Sequence, residues 1–519
     1  MAKKYILAHD MGTGGSKAVL YDAEGALLAK AFHSYETFYP QPRWAEQRPQ
    51  DWWGAIVKGT RQVLSAVQID KSRIEAISFS GHGMGNVPVD AKGNLLRDTS
   101  MVWFDSRSTD QASRVVEKIG LDRWYEITGC AYDPAFFTGF KLMWVKENEP
   151  DLFKRTHVFL ATKDYIVMRL TGKSMTDYSD MSFTGLFDVN KREFSAELLD
   201  ASGIPREKFP TVYPSTHVAG DLLPEPAREL DLPPGIPVVL GGEDVPCTAA
   251  GAGVVSQGRI YAYIGTSGWV SVASPKPLRR KGVRIPNIIH VVPDMYTPQM
   301  GVYSAGSTYQ WVQDQICRQE VAAAQNLDID PFGVMELEAA SAPVGSNGLL
   351  FLSTFAGGGT IHENNPDLKG AYIGIGPAHT RADLVRAAME GVSLDLGLLV
   401  HEFKGLGIEA PEIRVVGGGG KSPLWRQILA DVFESRVIMT NIGQEAAALG
   451  AAMIGGVGVG LWKDFGIVDQ LTELVSVSEP RPDESDRYRL LLPIFRDAVA
   501  SVSGICTRLA AAQRAEGDQ

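Results

Sequence analysis

Two short, mostly apolar runs near the N-terminus, Tyr5–His9 and Ser16–Tyr21, predict strands. Between them, Asp10-Met11-Gly12-Thr13-Gly14-Gly15 supplies the glycines and small polar side chains of a turn. The spacing predicts a β-hairpin with a glycine-rich tip, followed by a further turn at Asp22-Ala23-Glu24-Gly25. The same grammar returns as strand Ile260–Tyr263, turn Ile264-Gly265-Thr266-Ser267-Gly268 and strand Trp269–Ala273. A Gly-Thr-small-small tip thus occurs twice, about half the chain apart, and predicts two related halves.

Elsewhere the periodicity predicts strands at Ala76–Ser80 and Val102–Trp103 and helices at Gln50–Val67, Arg107–Ile119 and Lys141–Asn148. In the second half it predicts helices at Ala382–Phe403 and Pro423–Phe433 around a strand at Glu412–Val416. Both halves are therefore α/β. The Pro/Gly-rich approach Leu232–Pro237 and the Gly251-Ala252-Gly253 segment place the boundary near residue 255. The expected division is 1–255, 256–500 and a C-terminal tail 501–519. The most apolar stretch, Ala446 to Trp462, is interrupted by glycines and falls short of the ~20 residues of a membrane helix. It reads as buried helix and turn.

Composition narrows the function. The 519 residues are 45% hydrophobic and 21% charged, which is ordinary globular chemistry. A net charge of −11 has the wrong sign for a general nucleic-acid or anionic-membrane binder, so any phosphate must be held locally. The four cysteines, Cys130, Cys247, Cys317 and Cys506, show no Cys-x-x-Cys or zinc spacing. Together with an N-terminus too soon charged for a signal peptide, they lead to the expectation of a reducing, cytoplasmic location.

Several segments carry candidate chemistry. In Asp10–Lys17, Gly12, Gly14 and Gly15 let backbone N–H groups approach an anion, Thr13 and Ser16 add hydroxyls, and Asp10 beside a phosphate calls for Mg2+. A single such hairpin can be merely structural; two copies, with Gly265, Thr266 and Ser267 in the second, point to function. Gly420-Lys421-Ser422 matches the end of a P-loop, but the first glycine of that pattern falls on Val415. The run Gly417, Gly418, Gly419, Gly420 reads instead as a strand-to-helix turn whose flat backbone packs on adenine, with Trp425 as a wall. Gly241-Gly242-Glu243-Asp244 ends an apolar strand with two carboxylates, either of which can act as general base for a hydroxyl. Trp103, Asp105 and Arg107 share one face of an extended segment, suited to a polyhydroxylated ligand; an Asp105–Arg107 ion pair beside a core tryptophan is the alternative. His82 and Met84 sit on the glycine-rich loop Ser80–Gly85, where ligand contacts are common. Gly357–His362 with Asn364-Asn365-Pro366 reads as a long loop bordering the cleft. There is no H-E-x-x-H pair and no Gly-x-Ser-x-Gly elbow.

In their order these motifs resemble the FGGY carbohydrate kinases, in particular their xylulokinase-like branch. Asp10–Lys17 is similar to the first phosphate motif, and Trp44-Ala45-Glu46-Gln47 with Asp51-Trp52-Trp53 to the W-x-E-Q…W segment. Trp103–Arg107 is similar to the W-x-D-x-R substrate motif and Gly241–Asp244 to G-G-x-D, whose last residue is the base. Ile264–Gly268 resembles the second phosphate motif, Gly417–Gly420 through Trp425 and Asp431 the adenosine motif, and Glu445–Ala451 the closing helix motif. The resemblance implies two ribonuclease-H-like domains of the actin and sugar-kinase superfamily with ATP, Mg2+ and a sugar in the cleft between them. It implies Asp244 as general base, Asp10 supporting the metal, His82, Met84, Trp103, Asp105 and Arg107 at the sugar, and Gly12, Thr13, Gly14, Ser16, Lys17, Gly265, Thr266, Ser267, Gly418, Gly419, Gly420 and Lys421 at ATP. It further implies a homodimer and a pentulose substrate, with D-xylulose first. His82-Gly83-Met84-Gly85 stands where that branch carries Gln-Met-His-Gly, and Gly357–Thr360 departs from a Gly-Glu-Arg-Thr-like pattern; both bear on the sugar, not on phosphoryl transfer. Ribulose, erythritol, gluconate and autoinducer-like polyols are the other substrates weighed, and an actin- or chaperone-like ATPase is the alternative class.

Overall fold

A computed structural model describes residues 3–358 and 365–517, and the side chains of residues 3–358 and 365–514. The Gly359–Asn364 part of the expected cleft loop lies outside the described residues. The first hairpin pairs Tyr5–Gly12 (β1) with Gly15–Asp22 (β2), in register from Tyr5 opposite Asp22 to Gly12 opposite Gly15. Its strands run further than the apolar runs predict, because glycines pair at the tip and leave Thr13-Gly14 as a two-residue turn. Leu27–Ser34 (β3) adds antiparallel to β2, and Ile74–Gly81 (β4) adds parallel to β1. Val218–Asp221 (β5), Pro237–Val239 (β6) and Gly242–Glu243 (β7) complete a sheet of order β5-β6-β4-β1-β2-β3, with β7 also on β4.

The second sheet repeats the plan. Ile260–Ile264 (β8) and Gly268–Val272 (β9) form a hairpin around Gly265-Thr266-Ser267. With Asn287–Ile289 (β10), Tyr296–Val302 (β11), Glu412–Val416 (β12), Arg436–Thr440 (β13) and Leu474–Ser478 (β14), the order is β10-β11-β9-β8-β12-β13-β14. From β3 to β5 in the first sheet, and from β11 to β14 in the second, neighbours run antiparallel, antiparallel, parallel, parallel, antiparallel. The duplicated unit expected from the two hairpins is therefore present strand for strand.

Helices cover the sheets. In the first half these include Pro49–Ser65 (α1), Thr138–Asn148 (α2), Thr162–Thr171 (α3) and Asp244–Gly251 (α4). The second half has Gly306–Gln315 (α5), Arg381–Gly405 (α6), Pro423–Phe433 (α7), Ala446–Gly458 (α8) and Pro482–Gly517 (α9). Ser422 caps α7 through its side chain and Pro423 opens it, which is why sequence and structure agree there to the residue. Helix α8 belongs to the second half in sequence but packs on the first sheet, its Ala448, Ala451 and Ala452 in one core with Ile6, Ala8, Val19 and Ala76. It crosses α4 so closely that a Cβ on Gly450 would stand 2.0 Å from the Cys247 carbonyl oxygen.

The strand predicted at Val102–Trp103 lies two residues earlier, at Ser100-Met101, and residues 103–104 turn. The segment to Arg107 is thus not extended. Helix α9 runs unbroken through residue 500, so 501–517 continue a helix anchored by Tyr488, Leu492, Phe495 and Val499. Among the described residues its Pro482–Arg514 stretch is long and apolar enough, by length and composition, to cross a membrane.

Candidate active site

Three neighbouring parallel strands bring their C-terminal ends to one edge. Asp10 on β1 lies opposite Ser80 on β4, which lies opposite Gly242 on β7. Open α/β sheets bind ligands in such a crevice. Ser80 Oγ donates to Asp10 Oδ1 at 3.1 Å. Burial pushes the Asp10 carboxyl up; Lys17 and Ser80 oppose the shift and Glu445 adds to it.

The β7 strand ends at Glu243, whose side chain caps α4 by accepting from Val245 N at 2.9 Å, while its own N–H donates to Ser179 Oγ at 2.8 Å. Asp244 begins the helix and stays half-buried. The two carboxylates left open by the sequence separate here. Burial, then the Asp244 charge, pushes Glu243 well up, so it keeps its proton. Burial and the Asp10 charge raise Asp244 to about 6, opposed by the hydrogen bond from Glu243, so Asp244 is the group ionised near neutral pH.

Both hairpin tips address this point. Tyr35, whose hydroxyl donates to the Gly12 carbonyl, and Tyr263 at the end of β8 are each raised by burial and by the charges of Asp10 and Asp244. Gln47 Nε2 donates to Thr13 O at 2.7 Å, its Oε1 accepts from Trp52 Nε1 at 2.9 Å, and Trp103 Nε1 donates to Thr13 Oγ1 at 3.0 Å. The first tip is thus braced from behind, and a Cβ on Gly14 would meet no atom within 4 Å. Ser16 differs from expectation: it is buried on β2, and its Oγ has no partner among the described residues. Lys17 Nζ donates to the Gln444 carbonyl at 2.9 Å. In the second tip the Thr266 carbonyl accepts from Ala305 N, Ser307 N and Ser307 Oγ, which docks the turn onto the start of α5 and leaves the Thr266 side chain exposed.

Beside this tip, Gly417 takes φ +94° because its Cβ would lie 2.5 Å from the Ile264 carbonyl oxygen. Gly418 is exposed and its Cβ would meet nothing within 4 Å, giving the flat open backbone expected of an adenosine site. Gly419 packs on Ile264 and Gly420 is buried. Trp425 is not an open wall: it is 2% exposed, with Nε1 donating to Ser393 Oγ at 3.0 Å, and supports the turn from inside. Ser422 Oγ is spent on the α7 cap, Lys421 is exposed, and Asp431 is buried against Arg481 at 2.6 Å.

On the other side of Asp244, three residues expected at the sugar are buried with protein partners. Asp105 is fully buried, accepting from Ala45 N at 2.7 Å and from Arg107 Nη2 at 2.7 Å. Arg107 also donates to Glu46 Oε1 at 2.6 Å and lies 3.6 Å over the Trp44 ring. Both side chains hold the turn, as in the ion-pair alternative but with Trp44 rather than Trp103 as the aromatic partner, and the buried Arg107 Nη1 is left without a hydrogen-bond partner among the described residues. Burial pushes Glu46 up, but Thr99, Arg97 and Arg107 together hold it below the usual range. His82 is 2% exposed, packed edge-on to Trp52 and within 3.3 Å of Thr162 Oγ1; burial lowers it to about 4, so it is neutral. Of the residues expected at the sugar, Trp103 stays 40% exposed, and Gly83 packs on the neighbour of Asp244, where its Cβ would lie 3.0 Å from Glu243 Cγ.

Two buried lysines were not singled out from the sequence. Lys163 forms ion pairs with Asp164, Asp177 and Asp180 at 2.6, 2.9 and 2.9 Å. Asp177 Oδ2 in turn accepts from Ser179 Oγ, the hydroxyl that receives the Glu243 N–H, so the cluster reaches the residue before Asp244 through one serine. Lys141 donates to main-chain carbonyls of the two sugar-side loops. Lys141 opens a predicted helix and Lys163 lies on no predicted element, and only the tertiary packing reveals that both are buried.

Comparisons with known proteins identify relatives of the whole chain. A xylulose kinase of Bacillus subtilis is 30% identical over 508 residues, 98% of this chain and 99% of that protein. A gluconokinase of the same organism is 28% identical, covering 98% of each chain. The solved structure of xylulose kinase from Rhodospirillum rubrum superposes with TM-score 0.87 at 25% identity, over 97% of this chain and 100% of that one. Residues 5–251 match the N-terminal domain model of the FGGY family of carbohydrate kinases and residues 260–459 its C-terminal domain model, so the chain belongs to that family.

Proposed function

We propose that the protein transfers the γ-phosphoryl group of ATP to a hydroxyl of a pentulose, D-xylulose first, with Asp244 as general base. The observation that carries this reading is Asp244 itself: a half-buried carboxylate between the two hairpin tips, ionised above about 6 while its neighbour Glu243 stays protonated. A sugar resting on Trp103 and the Gly83–Gly85 loop presents its hydroxyl to Asp244. Asp244 takes the proton as the oxygen forms its bond to γ-phosphorus, and the bond from γ-phosphorus to the β–γ bridging oxygen breaks with ADP leaving. Thr13, Gly14, Thr266 and Ser267 offer backbone and hydroxyl donors to the phosphates, and Gly418 offers the adenine a flat surface.

Mg2+ fits these residues, because Asp10 and Asp244 are two carboxylates whose charges oppose each other and which a cation would relieve. Asp10 would hold it, and when bound it neutralises charge on the transferring phosphate. Arg107 and Lys141, the cations nearest the sugar loops, are already engaged with Glu46, Asp105 and carbonyl oxygens. That favours a neutral ketose over an aldonate, although the gluconokinase likeness keeps gluconate as the second reading. ADP release from Mg-ATP against D-xylulose, L-xylulose, D- and L-ribulose, erythritol, glycerol and gluconate tests this. Strongest stimulation by D-xylulose is expected; gluconate selects the second reading, and sugar-independent turnover contradicts both.

A further inference from the structure

Lys141 is the fourth residue of α2 and has no exposed surface. Its Nζ donates to three main-chain carbonyls: Met84 at 3.1 Å, Val102 at 2.6 Å and Trp103 at 3.2 Å. A neutral amine has two N–H donors and an ammonium three, so three acceptors match the charged form. One helical turn earlier, Thr138 Oγ1 donates to the Gly85 carbonyl at 3.3 Å. One face of α2 thus grips consecutive carbonyls of the 83–85 loop and consecutive carbonyls of the 102–103 turn. Asn86 Oδ1, accepting from Met101 N at 3.1 Å, joins the same two segments at their base.

Met84 itself takes φ +61°, in the left-handed region that side chains other than glycine rarely occupy. Strained backbone persists where its surroundings over-determine it, and it concentrates at ligand sites. Here the Met84 carbonyl ends on a buried ammonium.

We propose that Lys141 is a positioning residue for the sugar: its ammonium locks the Gly83–Gly85 loop to the Trp103 turn, setting the width of the pocket in front of Asp244. This rests on the reading that the sugar lies between those two loops. Burial, with Arg107 adding and Asp105 opposing, lowers Lys141 to about 7, so the lock weakens as pH rises through neutrality. The other titratable group beside it, His82, changes charge far below that range.

The test is steady-state kinetics of Lys141→Met with the panel compound that stimulates ADP release most. Expected are a rise of about tenfold or more in the sugar KM, with kcat and the MgATP KM within about threefold. The double variant Lys141→Met/Met84→Gly should regain part of that loss, because glycine takes the left-handed turn without strain. A folded Lys141→Met with unchanged sugar KM overturns the proposal, as does a loss shared equally by kcat and both KM values. Should the variant not fold, the wild-type enzyme decides: its sugar KM should rise between pH 6.5 and 8.5 while the MgATP KM stays level, and a level sugar KM overturns the proposal. Trp103→Ala separates the two readings. If it leaves the sugar KM unchanged, the pocket placement itself fails; if it raises KM while Lys141→Met does not, only the role of Lys141 fails.

Discussion

Asp244 and Glu243 are adjacent in sequence and opposite in protonation, and the difference comes from where the chain turns. Glu243 is the last strand residue, enclosed and used as a helix cap; Asp244 is the first helical residue, half-open to the crevice. Since the base acts only when ionised, turnover should fall as pH drops through about 6, some two units above an unperturbed aspartate. A profile of kcat/KM from pH 5 to 8 checks this, and a plateau down to pH 5 contradicts it. Arg107 gives a contrasting prediction. Removing one partner of a buried ion pair costs about 3–5 kcal/mol, so Arg107→Met should lower the urea midpoint markedly. The order of preference among panel sugars should stay the same, and a changed order would restore Arg107 as a sugar contact. The sequence placed Trp103, Asp105 and Arg107 together but could not separate their roles. The partners that decide them, Ala45 and Glu46, lie some sixty residues away in the chain. Lys141 was hidden for the same reason.

At the scale of elements, the hairpins were legible because short apolar runs and glycine tips are local signals, and α7 because its cap and proline adjoin its apolar face. What stayed hidden was the crossing of α4 and α8, which pairs glycines some 200 residues apart in sequence. Gly251 and Gly450 let the two helix backbones meet, and a Cβ at Gly251 would stand 1.8 Å from the Ala446 carbonyl oxygen. Gly450→Val should therefore abolish soluble folded enzyme, measured by circular dichroism and melting, whereas the same change at exposed Gly405, where a Cβ meets nothing, should cost about 1 kcal/mol or less. The glycine turn after β12 carries a prediction of its own. Lys421 is exposed and Ser422 is a helix cap, so Lys421→Ala should change the MgATP KM by less than about threefold; loss of ATP binding would revive a P-loop role.

The whole molecule is two copies of one sheet plan facing a common crevice, linked where α8 returns to the first sheet. The first hairpin and the neighbouring β3 also touch the approach to α8, through Lys17 to the Gln444 carbonyl and Lys30 to Glu445 at 2.9 and 2.8 Å. The proposed sugar site lies on the first half while the nucleotide bridges both halves through the two hairpin tips, so each ligand should stabilise the fold and both together should do so more than additively. Melting curves with D-xylulose, a non-hydrolysable ATP analogue, and both, measure that. The central claim is that Asp244 removes the hydroxyl proton in a sugar-dependent kinase, and Asp244→Asn tests it most directly. Sugar-dependent ADP release, MgATP binding and melting temperature should be measured on the same preparation at pH 7.5. The account predicts a fall in kcat of about 100-fold or more, nucleotide affinity retained, and a melting temperature equal to or above that of the unmodified enzyme, because a buried charge facing Asp10 has gone. A folded Asp244→Asn that phosphorylates its sugar at the unmodified rate would contradict it.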